Sequence, residues 1–367
     1  MPKQTLVYFN PDCFTQVDDT VLCYLTNDFK VVWFYLYESL QAKDMRYNPK
    51  KAKEYADKYG IILEIVDPKM RRRNPLNILY YWKIAKKIND YKADIVYACS
   101  IFPFWMLTFR FIKCKNKVFG VHDAVRHTYK NNPALQWMNN QKEKWFKRFP
   151  LLLTFSPSQQ KLLKTVYGFD SKMVGMSFKS FGESTKKPVV IDNRVNLLFF
   201  GSIIHYKGLD LLISALEKLR EEGYDNLSLT IAGKGSYWED CKPLIKTPQM
   251  YNLQVRFIGN DEIPDIMCTH HFLVLPYRNV TQSGPLVTAL GYGLPVIAPS
   301  MGSFMDYFDE ESAIFYQQGE LTEALRRVSR MSSSQYDELR INVAKVRENY
   351  TEERIAQNYI QAFKEMI

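Results

Sequence analysis

The chain has 367 residues, 46% of them hydrophobic and 14% aromatic, which is more than one compact core ordinarily holds, so two globular domains are expected. Its net charge of +10 is uneven: residues 1–180 carry 30 Lys and Arg against 15 Asp and Glu, and the remainder carries 19 against 24. Six scattered cysteines with no C-x-x-C pair exclude a disulfide framework and a zinc ribbon, and no apolar run reaches the ~18 residues of a membrane-spanning helix.

In chain order, the opening MPKQTLVYFN enters a strand at residues 6–10 with no signal-peptide pattern, so a cytoplasmic location is expected. Strands at 30–37, 61–66, 94–99, 118–121 and 151–155 alternate with helices at 15–27, 49–59, 76–89, 133–148 and 158–167. In the third of these helices Leu76, Leu79, Tyr80 and Ile84 share one side. The aromatic run 102–112 reads either as a core helix or, with Arg110 and Lys113 at its trailing end, as a surface contact. Residues 181–193 break the alternation with polar, Gly and Pro residues and read as an interdomain linker. The second domain, 194–350, restarts with strands at 195–200, 227–232, 255–259, 272–277 and 295–299. Helices are expected at 209–222, 261–268, from Ser283 onward, at 320–331 and at 333–348. A final helix over 351–367 can return to the first domain, 1–180. Alternating strands and helices imply parallel sheets with right-handed crossovers, and two such domains facing across a cleft.

Four groups of residues stand at strand ends, where open parallel sheets place ligands. Gly201 and Ser202 end one strand, and Lys207 follows in the next turn, either as a solvated lysine or as a point charge for a diphosphate. Gly233 and Gly235 shape a turn beside it. The stretch Thr281, Gln282, Ser283, Gly284 and Pro285 reads as a helix start. Ser283 would be its N-cap and Pro285 would sit in its first turn, which leaves backbone N–H groups for an anion. His122 and Asp123, with His127 nearby, follow the fifth strand of the first domain and either hold a sugar hydroxyl or proton, or cap a loop. His270 and His271 precede a strand without an acidic partner, so no metal site is expected.

The segments FFGSIIHYKGLDLLISAL, LTIAGKG, VRFIG, LPYRNVTQSGPL and ALGYGLPVIAPSMGSF, with VFGVHDAVRH in the first half, resemble family 4 glycosyltransferases. That resemblance implies a GT-B fold of two Rossmann-like domains and metal-independent, retaining transfer from a nucleotide-sugar, with no cofactor. It places the donor diphosphate against Lys207 and the backbone of Gln282, Ser283 and Gly284, and the sugar against Thr281 and His122. The TQSG turn resembles bacterial enzymes of capsule, O-antigen or exopolysaccharide synthesis. Three positions depart from the pattern. Ser202 stands where many members have Arg, Val280 and Thr288 stand where many have a Glu pair, and Asn10-Pro-Asp-Cys13 replaces a glycine-rich loop. These departures leave open a catalytically silent GT-B protein that binds a partner in a glycan assembly complex. The basic first half suits a lipid-linked glycan acceptor and an anionic membrane surface, reached through Arg71, Arg72, Arg73, Arg110 and Lys113, with the protein peripheral on the inner face of the membrane. Nothing in the sequence suggests nucleic acid as a partner.

Overall fold

A computed structural model describes residues 2–37, 39, 47–68, 70, 74, 76–99, 105–124, 141, 143–280 and 282–367, without the side chains of 11–17. It divides into two compact units, Met1–Ser177 with Glu352–Ile367, and Phe178–Thr351. Residues 181–193, expected as a linker, lie against the second unit. There Asp265 accepts from Ser184 and Thr185, and the Val189 N–H donates to the Cys268 carbonyl.

The first unit runs β1 (Gln4–Pro11), α1 (Asp12–Leu25), β2 (Phe29–Leu36), α2 (Pro49–Tyr59), β3 (Ile62–Val66), α3 (Asn77–Asp90), β4 (Ile95–Cys99), β5 (Lys117–Val121), β6 (Leu151–Thr154), α4 (Pro157–Tyr167) and β7 (Lys172–Met173). Its seven strands are parallel, in the order β3-β2-β1-β4-β5-β6-β7. Strands β2 and β4 are nearly continuous apolar runs because both faces of a parallel sheet are covered. Helix α2 starts where Asn48 caps the Lys51 N–H and ends at Gly60, whose φ of 66° continues no helix. The expected helix 102–112 is, in its described part, a 3₁₀ turn, Trp105–Arg110. Its Trp105, Met106 and Phe109 join the core, so that segment is packing rather than surface, and only Arg110, Phe111 and Lys113 at its end are exposed. The expected helix 133–148 lies mostly outside the described residues.

The second unit runs β8 (Val195–Phe200), α5 (Leu209–Glu221), β9 (Leu227–Ala232), α6 (Trp238–Cys241), β10 (Tyr251–Gln254), α7 (Ile263–Cys268), β11 (Phe272–Val274), α8 (Gly284–Gly291), β12 (Val296–Pro299), α9 (Gly302–Tyr307), β13 (Ala313–Tyr316), α10 (Leu321–Ser329) and α11 (Ser333–Glu348). Its six parallel strands are ordered β10-β9-β8-β11-β12-β13. The strand expected at 255–259 is instead 251–254, where the ladder to β9 is made. Strand β13 and helix α9 were not anticipated, being a four-residue run and a single short helix. In both sheets the order reverses between the first and fourth strands, the position where such sheets open a crevice.

The last helix, α12 (Glu352–Lys364), belongs to the first unit. It is held by a buried carboxylate. Asp18 on α1 accepts from the hydroxyls of Tyr8 at 2.9 Å, Tyr97 at 3.2 Å and Tyr359 at 2.7 Å, which ties β1, β4 and α12 to one group. Burial pushes the Asp18 carboxyl up to about 6, against the pull of the three hydroxyls. Because its folded value lies above the unfolded one, the folded state binds the extra proton between pH ~4 and ~6. This group's contribution is therefore complete below pH ~4 and is lost as pH rises through 6. Tyr359→Phe removes one donor from the ionised form and is expected to destabilise the chain by roughly 1.5–3 kcal/mol at pH 7, and by less at pH 5, in urea unfolding. Equal losses at the two pH values would assign the hydroxyl no role in holding the charge.

Candidate functional site

In the second unit the switch point lies between the ends of β8 and β11. The backbone turns at Gly201 with φ 107°, and a Cβ there would come within 3.3 Å of the Lys207 Nζ and 3.4 Å of Pro285. That one point therefore brings together the end of β8, the 3₁₀ turn His205–Lys207 and the first turn of α8. Close backbone approach holds the arrangement. A Cβ on Gly233 would lie 1.9 Å from the Gly201 carbonyl oxygen. One on Gly235 would lie 1.9 Å from that of Ile203, and one on Gly208 would lie 2.0 Å from that of Pro276. Gly233 and Gly235 thus shape the turn, as the sequence suggested.

Lys207 is 7% exposed. Its ammonium stands 5.4 Å from the ring centre of Tyr277, and no hydrogen bond or ion pair to it occurs among the described residues. Burial without a counter-charge pulls its pKa down from 10.5 to about 8. The reading of a solvated lysine therefore does not hold.

Ser283 caps α8. It is 4% exposed, takes extended backbone angles and accepts from the Leu286 N–H at 3.3 Å. Pro285 has no N–H to satisfy, and the Gly284 N–H has no acceptor within the helix. Gly284 is exposed, and an added Cβ there would meet no atom within 4 Å. An ammonium beside the positive end of a helix is a pair of like signs, which an anion would relieve. Gln282 is half-buried next to the cap and Ser202 is exposed, while Thr281 lies outside the described residues.

Arg278 completes the cluster and was not singled out from the sequence. Its guanidinium holds Asp210 by two hydrogen bonds of 2.9 and 2.5 Å and donates to the His205 carbonyl at 2.7 Å, while its N–H donates to Tyr206. This clamp fixes the turn that carries Lys207 and leaves Arg278 paired. The only hint was its place in LPYRNV, five residues before Ser283. Val280 and Thr288 are structural. Val280 lies against Gly302 at the start of α9, and the Thr288 hydroxyl donates to the Gly284 carbonyl at 2.9 Å.

In the first unit His122 and Asp123 follow β5, with the His122 Nδ1 3.5 Å from Asp123 and the imidazole 5.9 Å from the ring of Phe155. That separation exceeds a good N–H···O hydrogen bond. The chain leaves the pair through Ala124, whose N–H donates to the buried Gln159 at 2.9 Å. At the neighbouring switch point Asn10 accepts from the Cys99 N–H at 2.6 Å. His127 and Arg71, Arg72 and Arg73 lie outside the described residues. His270 and His271 face inward: His270 contacts the Ile266 carbonyl and the Thr230 hydroxyl, and His271 accepts from the Asn196 N–H. Among the described residues no group of three His, Cys, Asp or Glu gathers as metal ligands.

Sequence profiles of two kinds match the chain, Glycosyltransferase Family 4 over residues 31–174 and Glycosyl transferases group 1 over 194–332, and together they cover well over half of it. The chain is a family 4 glycosyltransferase of GT-B fold. A 2-deoxystreptamine glucosyltransferase of Streptomyces kanamyceticus is 27% identical over 136 residues, 36% of this chain and 35% of that protein. A GDP-mannose:glycolipid 4-beta-D-mannosyltransferase of Xanthomonas campestris is 27% identical over 135 residues, 35% of this chain and 38% of that protein. The chain thus spans little more than a third of the length of these relatives. A glycosyltransferase from Rickettsia africae superposes with a TM-score of 0.73 at 16% identity, covering 100% of this chain and 99% of that one. Anabaena HepE in complex with UDP and glucose gives 0.72 at 14% identity, covering 99% of this chain and 100% of that one.

Removing the buried charge should stabilise the free family member. The folded pKa of Lys207 lies below the unfolded one, so the penalty is full below pH ~8 and fades as pH rises toward 10.5. Lys207→Met is expected to raise the unfolding free energy by up to about 3 kcal/mol at pH 7 without ligand, measured by urea denaturation. A destabilised variant would mean that an undetected partner neutralises the ammonium.

Proposed function

We propose that the chain moves a sugar from a nucleotide-sugar donor to a lipid-linked or growing polysaccharide acceptor, with retention of anomeric configuration and without a metal or other cofactor. The observation that carries this reading is the buried Lys207 ammonium beside the capped start of α8. There the donor diphosphate would receive the Lys207 charge and the backbone N–H groups of Gln282, Ser283 and Gly284, with the sugar toward Thr281 and His122. In the reaction the bond from the anomeric carbon to the diphosphate oxygen breaks and its electron pair stays on the diphosphate. The acceptor hydroxyl forms the new bond on the same face of the sugar and gives up its proton to the departing diphosphate. A fixed ammonium and helix end stabilise the charge that develops on the leaving group. His122 and Asp123 would hold sugar hydroxyls in position.

The Anabaena neighbour's complex with UDP and glucose supports a nucleotide-sugar donor, and the Xanthomonas relative's glycolipid acceptor supports a lipid-linked one. The setting we assign is capsule, O-antigen or exopolysaccharide synthesis, in the cytoplasm and peripheral on the inner face of the membrane. No described helix is long and apolar enough to cross a membrane.

The test is a thermal-shift panel with UDP-, GDP-, CMP- and dTDP-sugars, with and without magnesium. One nucleotide class at about a hundred times its dissociation constant should add roughly 2.7 kcal/mol of stability. Lys207→Met should abolish that shift, and the wild-type shift should weaken as pH rises above ~8, where the free ammonium loses its proton. His122→Ala should keep the shift and lose turnover. A folded sample that responds to none of the donors would overturn the reading in favour of a silent binding protein.

A further inference from the structure

Helix α3 turns its apolar side the wrong way for a core helix. Leu76 and Leu79, which the spacing placed with Tyr80 and Ile84 on one side, are each 61% exposed, and Trp82 is 47% exposed. The buried face is instead Asn77, Tyr81, Ile84, Ala85 and Ile88. The exposed row continues past the helix. Asn89, two turns beyond Trp82 on the same side, donates to the Phe111 carbonyl at 3.0 Å, and Phe111 is itself exposed. Lys83 and Lys86 stand on the shoulder of this row, with the Lys86 ammonium 5.9 Å from the Trp82 ring. Asp90, the last residue, is the only carboxylate on the helix.

We propose that this face of α3 docks on an anionic lipid bilayer. Apolar side chains with one Trp in the middle and lysines alongside suit the boundary between headgroups and acyl chains, where long basic side chains reach phosphate while their stems stay apolar. The charge is complementary, since residues 1–180 carry twice as many basic as acidic groups. The topology gives the face a use. A helix that follows a parallel strand begins at the carboxyl edge of the sheet, so the Leu76–Leu79 end of α3 and the His122–Asp123 pair lie on the same edge of one sheet. An acceptor whose lipid stays in the bilayer would then present its glycan at that edge. Both the docking and this use rest on the peripheral membrane location in the proposed function, and the docking assigns that location to one helix face.

The experiment is co-sedimentation of the full chain with vesicles of phosphatidylcholine alone and of phosphatidylcholine with phosphatidylglycerol, at low and high salt. The nucleotide thermal shift is run on the same samples, so loss of lipid binding and loss of donor binding are read separately. Wild type should bind the anionic vesicles at least about tenfold more tightly than the neutral ones, with salt weakening the binding. Leu79→Ser with Trp82→Ser should lose about tenfold or more of that binding, and Lys83→Glu with Lys86→Glu should lose the anionic preference. Both pairs are exposed, so the unfolding midpoint and the nucleotide shift should stay as in wild type. Failure to bind anionic vesicles at low salt would overturn the proposal, as would unchanged binding by both double variants. Concentration-dependent self-association that Leu79→Ser with Trp82→Ser abolishes, without vesicle binding, would assign the face to a second copy of the chain.

Discussion

A charge removed from water without a partner is the constraint on which the candidate site depends. Two of the chain's buried ionisable groups, Asp18 and Lys207, have opposite surroundings. Asp18 receives three tyrosine hydroxyls from three elements, which offset part of the cost of its burial and hold α12 in place, while its carboxyl is still pushed up to about 6. Lys207 receives an aromatic face and, among the described residues, nothing of opposite charge. The first pattern is that of a structural group. The second leaves a cost that the folded chain alone does not offset, and a ligand bearing negative charge would remove it.

That unpaired ammonium is held by backbone rather than by side chains. Gly201, Gly208, Gly233 and Gly235 let four segments approach so closely that a methyl group at the last three would overlap a carbonyl oxygen. Arg278 adds a charged clamp, and because it is committed to Asp210 it fixes the turn without joining the site. Rigid placement of this kind allows one lysine and one helix end to act on a ligand without reorganising as charge develops.

Much of the fold was legible because its signals are local and strong. Buried strands in a parallel sheet are continuous apolar runs, and β2 and β4 were both placed as strands. Caps announce helices through residue type, as at Ser283, where the serine, glycine and proline each have a separate backbone reason to be there. The misreadings concern information that is not local. Nothing in the run 102–112 tells a core turn from a surface helix, since Trp105 and Phe109 are apolar in either case and the rings that receive them come from Phe9, Tyr81 and Phe149. In α3 the spacing of Leu76, Leu79 and Ile84 looked like one face, but the helix is rotated so that Tyr81, Ile84 and Ala85 pack inward. The Arg278–Asp210 pair spans 68 residues, and no spacing rule connects its members.

The departures at Ser202, Val280 and Thr288 acquire a physical meaning once placed. Val280 packs against the start of α9 and the Thr288 hydroxyl turns back onto its own helix, so neither position has a group to offer a ligand's ribose. Ser202 is exposed and uncharged, and Arg278, the nearest guanidinium in sequence to the turn at Ser283, is already paired. If this unit holds the donor as proposed, recognition would shift from side-chain charge toward backbone N–H groups and the helix dipole, with Lys207 as the buried charge among them. Backbone donors read the geometry of a phosphate rather than the identity of a base. On the proposed reading, selectivity for the base and sugar of a donor would come from side chains away from this turn, and affinity for its diphosphate from the turn itself.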